Sequence, residues 1–592
     1  MNLPSIKYSA TLLLAVVCTC YHLYLIFTGL IPNLLSRPIH LGLALPWVFV
    51  IGAKGSPWEK TTGLMICIFG IYSCSYIALN RNQLADQYGY IDTLQHYIIA
   101  IGLIIVVLEM ARRAVKLALP TVAVIALLYG LFGQYLPGEF GHPGLPPGSL
   151  LGTLVIAEGG LWGPLTGVSV NVVAIFVILG AFIGAGEGGA SFMALATKLA
   201  GRYRAGAAKV SVLSSAFFGS ISGSASANVA STGAITLPTM KRLGYPASFA
   251  AAVEAVASSG GQIMPPLMGA GAFVMMELLR LPYIDIMTAA LLPATLFFLG
   301  TWIGTDLFAR RYGLLAVTED EIPSTRRVIR LAPFFMIPFS LMLSILFFTA
   351  YTPQFAAAIA IFSAAGLLIV NEEMEFSLKM WFERCSTACL NAAKQIAMIA
   401  SIIICAGLII GVLNMTGLGI KVTSIILGLA GGKLWIALLL TAVACLILGM
   451  EVPTTAAYII CVSVAGPALQ QLGLAPLQAH LFVFWYALLS TITPPVCGTV
   501  FIAAGMAQTP WVPVAGQAMR LGLGLYFVPL SFIANPYLLH PVTNPFWAGI
   551  AFVKIGFGLW LLGKSLIAED PLIKRILSFL AGLAAIFLFG NS

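Results

Sequence analysis

A chain of 592 residues that is 60% hydrophobic and only 9% charged repeatedly offers apolar runs long enough to cross a bilayer, and reads as a polytopic helical membrane protein. A β-barrel is excluded by runs such as 168–183 and 396–413, which are apolar on every face instead of alternating. The net charge of +9 does not indicate nucleic acid, because Lys and Arg fall in small clusters beside apolar runs, where cytoplasmic anchors belong.

Runs near 10–30, 39–53, 61–79 and 93–111 form a first group, separated by loops holding Arg37, then Lys54 and Lys60, then Asp86 and Asp92, and closed by Arg112, Arg113 and Lys116. Lys7 precedes the first run as in a signal peptide, but no convincing small-residue cleavage site follows, so the run is read as a retained helix. Placing Lys7, the Lys54/Lys60 loop and the Arg112 cluster inside puts the amino terminus in the cytoplasm. A run at 117–135 leads to the turn-rich external loop 137–148, and 168–186 returns inside.

The segment after it has basic residues on both flanks, Lys198, Arg202, Arg204 and Lys209 before and Lys241 and Arg242 after. A Gly/Ser-broken apolar stretch with both ends on one side is expected to be a re-entrant hairpin, its tip near Gly219 to Ser226. Residues 247–280 cross outward and break at Ser258 to Pro266, since two prolines remove two donors and disfavour the preceding helical turn. A span at 283–307 precedes 310–330, the most polar internal stretch, expected as a solvated connector.

Spans near 331–349 and 355–370 lie beside a cytoplasmic Glu372 to Glu375 turn, and 395–413 carries the chain out. A second hairpin at about 434–468, tip near Gly449 to Thr455, precedes a broken span at 478–506. Two more spans and a 576–590 tail bring the total to about sixteen membrane elements. The expected divisions are a four-helix scaffold module at 1–116, a first half with a cytoplasmic-side hairpin at 117–308, a cytoplasmic linker at 309–330, a second half with a periplasmic-side hairpin at 331–540 and additional helices at 541–592.

The halves repeat. Ile263-Met-Pro-Pro-Leu-Met-Gly269 returns as Ile492-Thr-Pro-Pro-Val-Cys-Gly498, an offset of 492 − 263 = 229, and the same offset carries Ala227 onto Ala456, Pro238 onto Pro467, Leu243 onto Leu472 and Gly244 onto Gly473. The broken spans cross in opposite directions, which makes the repeat inverted. Backbone punctuation is shared while side chains differ: Ser222 falls opposite Glu451 and Ser224 opposite Pro453.

Interrupted helices at membrane depth persist only where they are buried in protein or line a wet cavity. Half-helix N-termini suit anions, and unwound carbonyls with Ser, Thr or Asn oxygens suit a small cation. Ser220, Ser222, Ser224 and Asn228 with carbonyls near Gly260 and Gly261 can form one cation site; Gly449, Pro453, Thr454, Thr491 and Thr493 can form its pseudo-symmetric mate. The bland alternative is that small residues merely let helices pack closely. Ser258, Ser259, Pro265, Thr455 and Pro494, at the breaks and the second tip, join Thr491 as candidates for substrate binding or coupling. Of the acids within apolar segments, Glu451 is a candidate cation ligand or proton acceptor, and Glu254, lying before its break, reads as structural. The ten Cys are scattered apolar fillers, the six His form no ligand cluster, and no Walker-type loop is present.

At Gly219-Ser-Ile-Ser-Gly-Ser-Ala-Ser-Ala-Asn228, Leu237-Pro-Thr-Met-Lys-Arg-Leu-Gly244 and Gly260-Gly-Gln-Ile-Met-Pro-Pro266 the chain resembles the membrane permease of tripartite ATP-independent periplasmic (TRAP) transporters. It is similar to the fused form, in which a small four-helix subunit precedes the large one, associated with periplasmic binding proteins of the TAXI class. The resemblance implies an all-α, inverted-repeat, elevator-type secondary transporter of the bacterial inner membrane with two re-entrant hairpins and two broken transmembrane helices. It also implies uptake of small organic acids, such as C4–C5 mono- or dicarboxylates, from a periplasmic partner, without an organic cofactor, driven by a cation gradient. The family's ion sites carry over to Ser220, Ser222, Ser224, Asn228 and the Gly260 region, and to Gly449, Pro453, Thr454 and Thr493. The family commonly has glycine where Glu451 stands, a departure that brings proton coupling in beside sodium. The rival readings are a stand-alone ion-coupled carrier, an intramembrane enzyme, for which no nucleophile and base or metal-ligand set is found, and a passive channel.

Overall fold

The computed structural model describes residues 5–53 and 55–588; Lys54, one of the expected cytoplasmic anchors, and the last two residues of the 576–590 run lie outside them. Among the described residues the architecture is helical, with one isolated β-bridge between Val370 and Phe376. Nine of these helices are long and apolar enough to cross a membrane, ten if Glu319–Leu331 and Pro333–Phe348, bent by 46°, form one span. Hairpin arms and half-helices supply further, shorter apolar helices. At 10–17 residues, Ala270–Leu279, Leu434–Met450, Pro476–Ile492 and Gly498–Ala507 are each too short to cross alone.

The first group folds as Ser5–Phe27, Asn33–Pro46, Pro57–Leu79 and Leu94–Val115. Local chemistry starts two of these: the Ser56 hydroxyl accepts from the Glu59 N–H at 3.3 Å with Pro57 in the first turn, and the Thr93 hydroxyl accepts from the His96 N–H at 3.3 Å. Arg37, expected in a loop, lies inside Asn33–Pro46. Its guanidinium donates to the Trp162 carbonyl and lies 3.5 Å from the Glu158 carboxylate, partners that compensate a largely buried charge. Asn33 donates to Glu158 at 2.7 Å, and His22, His40 and Ser169 form a chain of contacts of 2.8 and 3.0 Å. These polar ties, together with packing on Leu378–Thr416, dock the group onto the remainder of the chain.

Leu378–Thr416 is 39 residues long, about 58 Å at 1.5 Å per residue, against roughly 30 Å of hydrocarbon. Only 395–413 is legible as a span because Lys379, Glu383, Arg384 and Lys394 mark the first half as polar. It packs against Pro164–Ala185 as well as the amino-terminal group.

The repeat, though not its sense of crossing, is carried by the elements themselves. Ala225–Arg242 and Thr454–Gln471, Ala247–Gly260 and Pro476–Leu489, and the 3₁₀ turns Gly261–Ile263 and Ser490–Ile492 keep the offset found between Ile263 and Ile492. The preceding arms, Gly206–Ser222 and Leu434–Glu451, stop at equivalent positions. Ala270–Leu279 and Gly498–Ala507 complete the two broken helices, and both Pro265–Pro266 and Pro494–Pro495 are cis.

Two short helices not anticipated from sequence, Gly188–Ala200 and Leu418–Ala430, precede the hairpins; each is too short to read as a span. The expected solvated connector is instead packed down at its amino-terminal part. The Val317 N–H donates to the Gly201 carbonyl at 2.9 Å, the Tyr245 hydroxyl to the Leu315 carbonyl at 2.5 Å, and Arg242 pairs with Glu321 at 2.6 Å. Leu314 and Val317 are buried, so two apolar residues within a polar stretch decide the matter.

Candidate functional site

The first hairpin turns at Gly223, whose φ of +57° strains any other residue. A Cβ there would also lie 2.9 Å from the Met268 carbonyl oxygen, so turn and broken helix touch through backbone. Ser224 then caps Ala225–Arg242, accepting from the Ala227 N–H at 3.4 Å. The second hairpin turns through an extended Val452, and Pro453 occupies the cap position of Thr454–Gln471 without a side-chain bond. In the first broken helix, the Gly269 N–H donates to the Gln262 carbonyl at 2.7 Å and closes the loop before Ala270. In the second, the Thr499 hydroxyl donates to the Thr491 carbonyl at 2.8 Å.

These interruptions meet at one cavity of about 410 Å³. Its wall includes Ala225, Ala270, Thr454 and Gly498, the first residues of four separate helices. A helix N-terminus carries unpaired N–H groups and the positive end of the macrodipole, so four of them bordering one space make it favourable for negative charge. Ser222, Ser224, Gln262, Thr455 and Thr491 add neutral polar side chains, with Gln395 reaching in from Leu378–Thr416 and exposed Lys116 at the rim. Among the described residues no carboxylate lines the cavity. The Glu451 side chain lies outside the described ones.

Of the residues singled out from sequence, Ser222, Ser224, Gly449, Pro453, Thr454, Thr455 and Thr491 share this cavity. Ser220, Asn228, Gly260, Ser258, Ser259, Pro265, Thr493 and Pro494 do not line it. The Ser220 hydroxyl donates to the Phe217 carbonyl at 2.7 Å, Asn228 donates to the Ser215 carbonyl at 2.9 Å, and Gly260 packs against the Phe297 ring. The Thr493 hydroxyl lies 2.7 Å from the Leu489 carbonyl and 2.5 Å from the Tyr526 hydroxyl. Ser259 and Thr491, 3.0 Å apart, join the two breaks directly. Gln262, Gln395 and Lys116 were missed: Gln262 stands inside the Gly260 to Pro266 stretch, one residue before the repeated motif, whereas nothing local marks the other two as site residues.

Glu254 does not line the cavity; it is fully buried among hydroxyls from three helices. Ser211 donates to it at 2.6 Å, Thr236 at 2.5 Å and Ser258 at 3.2 Å, and Thr232 also bonds to it. At the repeat offset these positions hold Val483, Leu440, Ala465, Ala487 and Cys461. The polar cluster therefore belongs to the first half alone.

The model of the family described as tripartite ATP-independent periplasmic transporter, DctM component, matches residues 102–546. The chain is 26% identical over 382 residues to the C4-dicarboxylate TRAP transporter large permease protein DctM of Pseudomonas aeruginosa, covering 64% of this chain and 86% of that one. It is 24% identical to the 2,3-diketo-L-gulonate TRAP transporter large permease protein YiaN of Escherichia coli, over 63% of this chain and 85% of that one. Similarity to the isethionate TRAP transporter permease protein DctMQ of Oleidesulfovibrio alaskensis is 25% identity over 57% of this chain and 52% of that one.

Proposed function

The chain belongs to the DctM-component family of tripartite ATP-independent periplasmic transporters, and from that premise we propose that it imports small organic acids delivered by a periplasmic binding protein. It is a multi-pass transporter permease and not an enzyme, as its named relatives are. The observation that carries the substrate class is the convergence of four helix N-termini on one cavity without a described carboxylate. A carboxylate is the common anion that such N–H groups hold, and 410 Å³ suits a small metabolite. Relatives named for C4-dicarboxylates, isethionate and 2,3-diketo-L-gulonate support an anionic substrate.

Transport is driven by a sodium or proton gradient, with Ser, Thr and carbonyl oxygens around the breaks as the cation ligands. In the elevator reading, the hairpins and broken helices move as a unit against a frame formed by the amino-terminal group and Leu378–Thr416. With the amino terminus cytoplasmic in the inner membrane, Lys116 marks the cytoplasmic mouth of the cavity. Residues 1–101 precede the family match and take the place of a fused small subunit, and the partner is a TAXI-type binding protein. The test is uptake of labelled C4–C5 carboxylates into proteoliposomes, with and without that protein, under separately imposed sodium and proton gradients. Uptake that needs the partner and one gradient is expected; uptake indifferent to the partner supports a stand-alone carrier instead.

A further inference from the structure

The hydroxyls around Glu254 do not have enough protons to satisfy every contact if the carboxyl is ionised. The Thr232 hydroxyl lies 2.8 Å from the Asn228 carbonyl oxygen and also bonds Glu254; the Thr236 hydroxyl lies 3.0 Å from the Thr232 carbonyl and 2.5 Å from Glu254. Each hydroxyl has one proton, a carbonyl can only accept, and so one proton serves two acceptors at each threonine. A proton on Glu254, donated to the Thr236 oxygen, leaves Thr236 free to donate to the Thr232 carbonyl. When that proton is lost, both threonines can rotate to the carboxylate beside Ser211 and Ser258, releasing carbonyls that keep their helical N–H partners. The cluster thus accommodates both protonation states by hydroxyl rotation alone.

It also has a route to water. A second cavity, about 530 Å³ and distinct from the first, is lined by Thr236 together with Thr239, Arg242, Asp320 and Glu321. Thr236 therefore stands between that cavity and the carboxyl. In the other direction, Ser258 and Thr232 each lie 3.4 Å from the Ser215 hydroxyl, and Asn228 donates to the Ser215 carbonyl at 2.9 Å and to the Ser258 carbonyl at 3.4 Å. That chain ends where Gly219 and Gly261 meet, beside the first tip.

Nearby charges are engaged elsewhere. On Gly206–Ser222, Lys209 pairs with Asp306 at 2.7 Å, and Asp306 with Arg310 at 3.2 Å. On Ala225–Arg242, Lys241 donates to the Ala507 carbonyl at 3.0 Å and Arg242 pairs with Glu321 at 2.6 Å. Gly498–Ala507 has no titratable side chain. On Trp511–Ala534, Arg520 is exposed and the Tyr526 hydroxyl meets Thr493. On Pro476–Leu489, His480 meets Tyr458 and the Tyr486 hydroxyl donates to the Tyr526 carbonyl. On Tyr283–Tyr312, the Tyr283 hydroxyl donates to Pro266 and Leu267 carbonyls, Asp285 is exposed, Arg311 pairs with Glu569 at 3.1 Å and Tyr312 stacks on Phe308.

We infer that Glu254 is a proton-binding site of the transport cycle, exchanging its proton with the cytoplasmic side through Thr236 and reporting its protonation to the first hairpin through Thr232, Ser258, Ser215 and Asn228. The transfer is a relay: the Glu254 proton passes to the Thr236 oxygen as the Thr236 proton passes to water in the cavity, and the carboxylate remains. The role in a transport cycle rests on the secondary-transport reading above.

Infrared difference spectra of the purified full chain between acid and alkaline pH test the site without a substrate. The expected result is a protonated-carboxyl band that titrates, is absent in Glu254→Gln, and has a shifted midpoint in both Ser211→Ala and Thr236→Val. An unchanged band in Glu254→Gln overturns the inference; should that variant not fold, unchanged midpoints in Ser211→Ala and Thr236→Val do so. In proteoliposomes, labelled succinate tests the coupling: one coupled proton changes limiting accumulation about tenfold per unit of imposed pH difference. Glu254→Gln is expected to abolish that dependence, and its persistence overturns the inference. If succinate is not carried while the Glu254 band still titrates, the failure falls on the substrate reading, and the proton site stands.

Discussion

Gly219 and Gly261 show how much of the site rests on single residues. A Cβ on Gly219 would lie 2.2 Å from the Gly261 Cα, and because the obstacle is backbone it cannot rotate away. Gly219→Ala is therefore expected to separate the first hairpin from its broken helix, costing about 1–3 kcal/mol as overpacking does, read as a lower unfolding temperature in detergent together with slower uptake. Ser224→Ala removes the cap of Ala225–Arg242 and is expected to cost about 1 kcal/mol by the same thermal measurement. Ser222, Ser224, Thr454, Thr455 and Thr491 were legible as site residues because Gly and Pro punctuation marks where helices break, and polar side chains at a break face whatever the break is for. The surroundings of Glu254 were not legible. Its partners Ser211, Thr232, Thr236 and Ser258 come from three helices, and a sequence read locally shows only one acid before a proline pair.

At the scale of elements, the amino-terminal group is held by a few buried polar ties as well as apolar packing. Arg37 joins Asn33–Pro46 to the Glu158 and Trp162 region, and its removal strands a half-exposed carboxylate and a carbonyl. Arg37→Ala is expected to destabilise by about 1–3 kcal/mol. In a double-mutant cycle with Glu158→Gln, the combined loss should be smaller than the sum of the single losses; strict additivity would show that the tie contributes nothing. The Arg242–Glu321 pair on the packed linker is far more solvated, with the Arg242 side chain 62% exposed, so Arg242→Ala should change thermal stability by less than about 1 kcal/mol. Element positions were legible wherever apolar runs were uninterrupted. Leu378–Thr416 was underestimated because its polar first half masks a continuous helix, and Arg37 was assigned to a loop because a charge beside a proline resembles one. Propensity and hydropathy describe a segment alone, whereas these two are set by what packs against them.

Across the whole molecule, one supersecondary unit of two arms, two half-helices and a 3₁₀ turn occurs twice, with one constant offset through the second arm, the first half-helix and the turn. The shared part is backbone geometry and the divided part is chemistry. Both tips and both breaks contribute to the anion-attracting cavity, while the buried carboxyl and its hydroxyls occur once. Under the proposed function, such a division would let both halves bind substrate while the proposed proton site biases only one hairpin, an asymmetry that gradient-driven transport can use. The order of motifs made the repeat visible without coordinates, since glycines and prolines keep their spacing where side chains do not. That four helix starts border one space follows only from the folded arrangement.

The most direct measurement of the central claim is the reactivity of a cysteine placed at Thr455, in the cavity wall at the second tip. Thr455→Cys in proteoliposomes would be labelled with a membrane-impermeant maleimide from each side, with and without succinate and other C4–C5 carboxylates, against the unsubstituted chain as control. Labelling is expected from one side in each transport state, with protection by the carboxylate that is transported. Labelling from both sides at once, or labelling that a transported carboxylate leaves unchanged, would contradict a substrate site between the two hairpins.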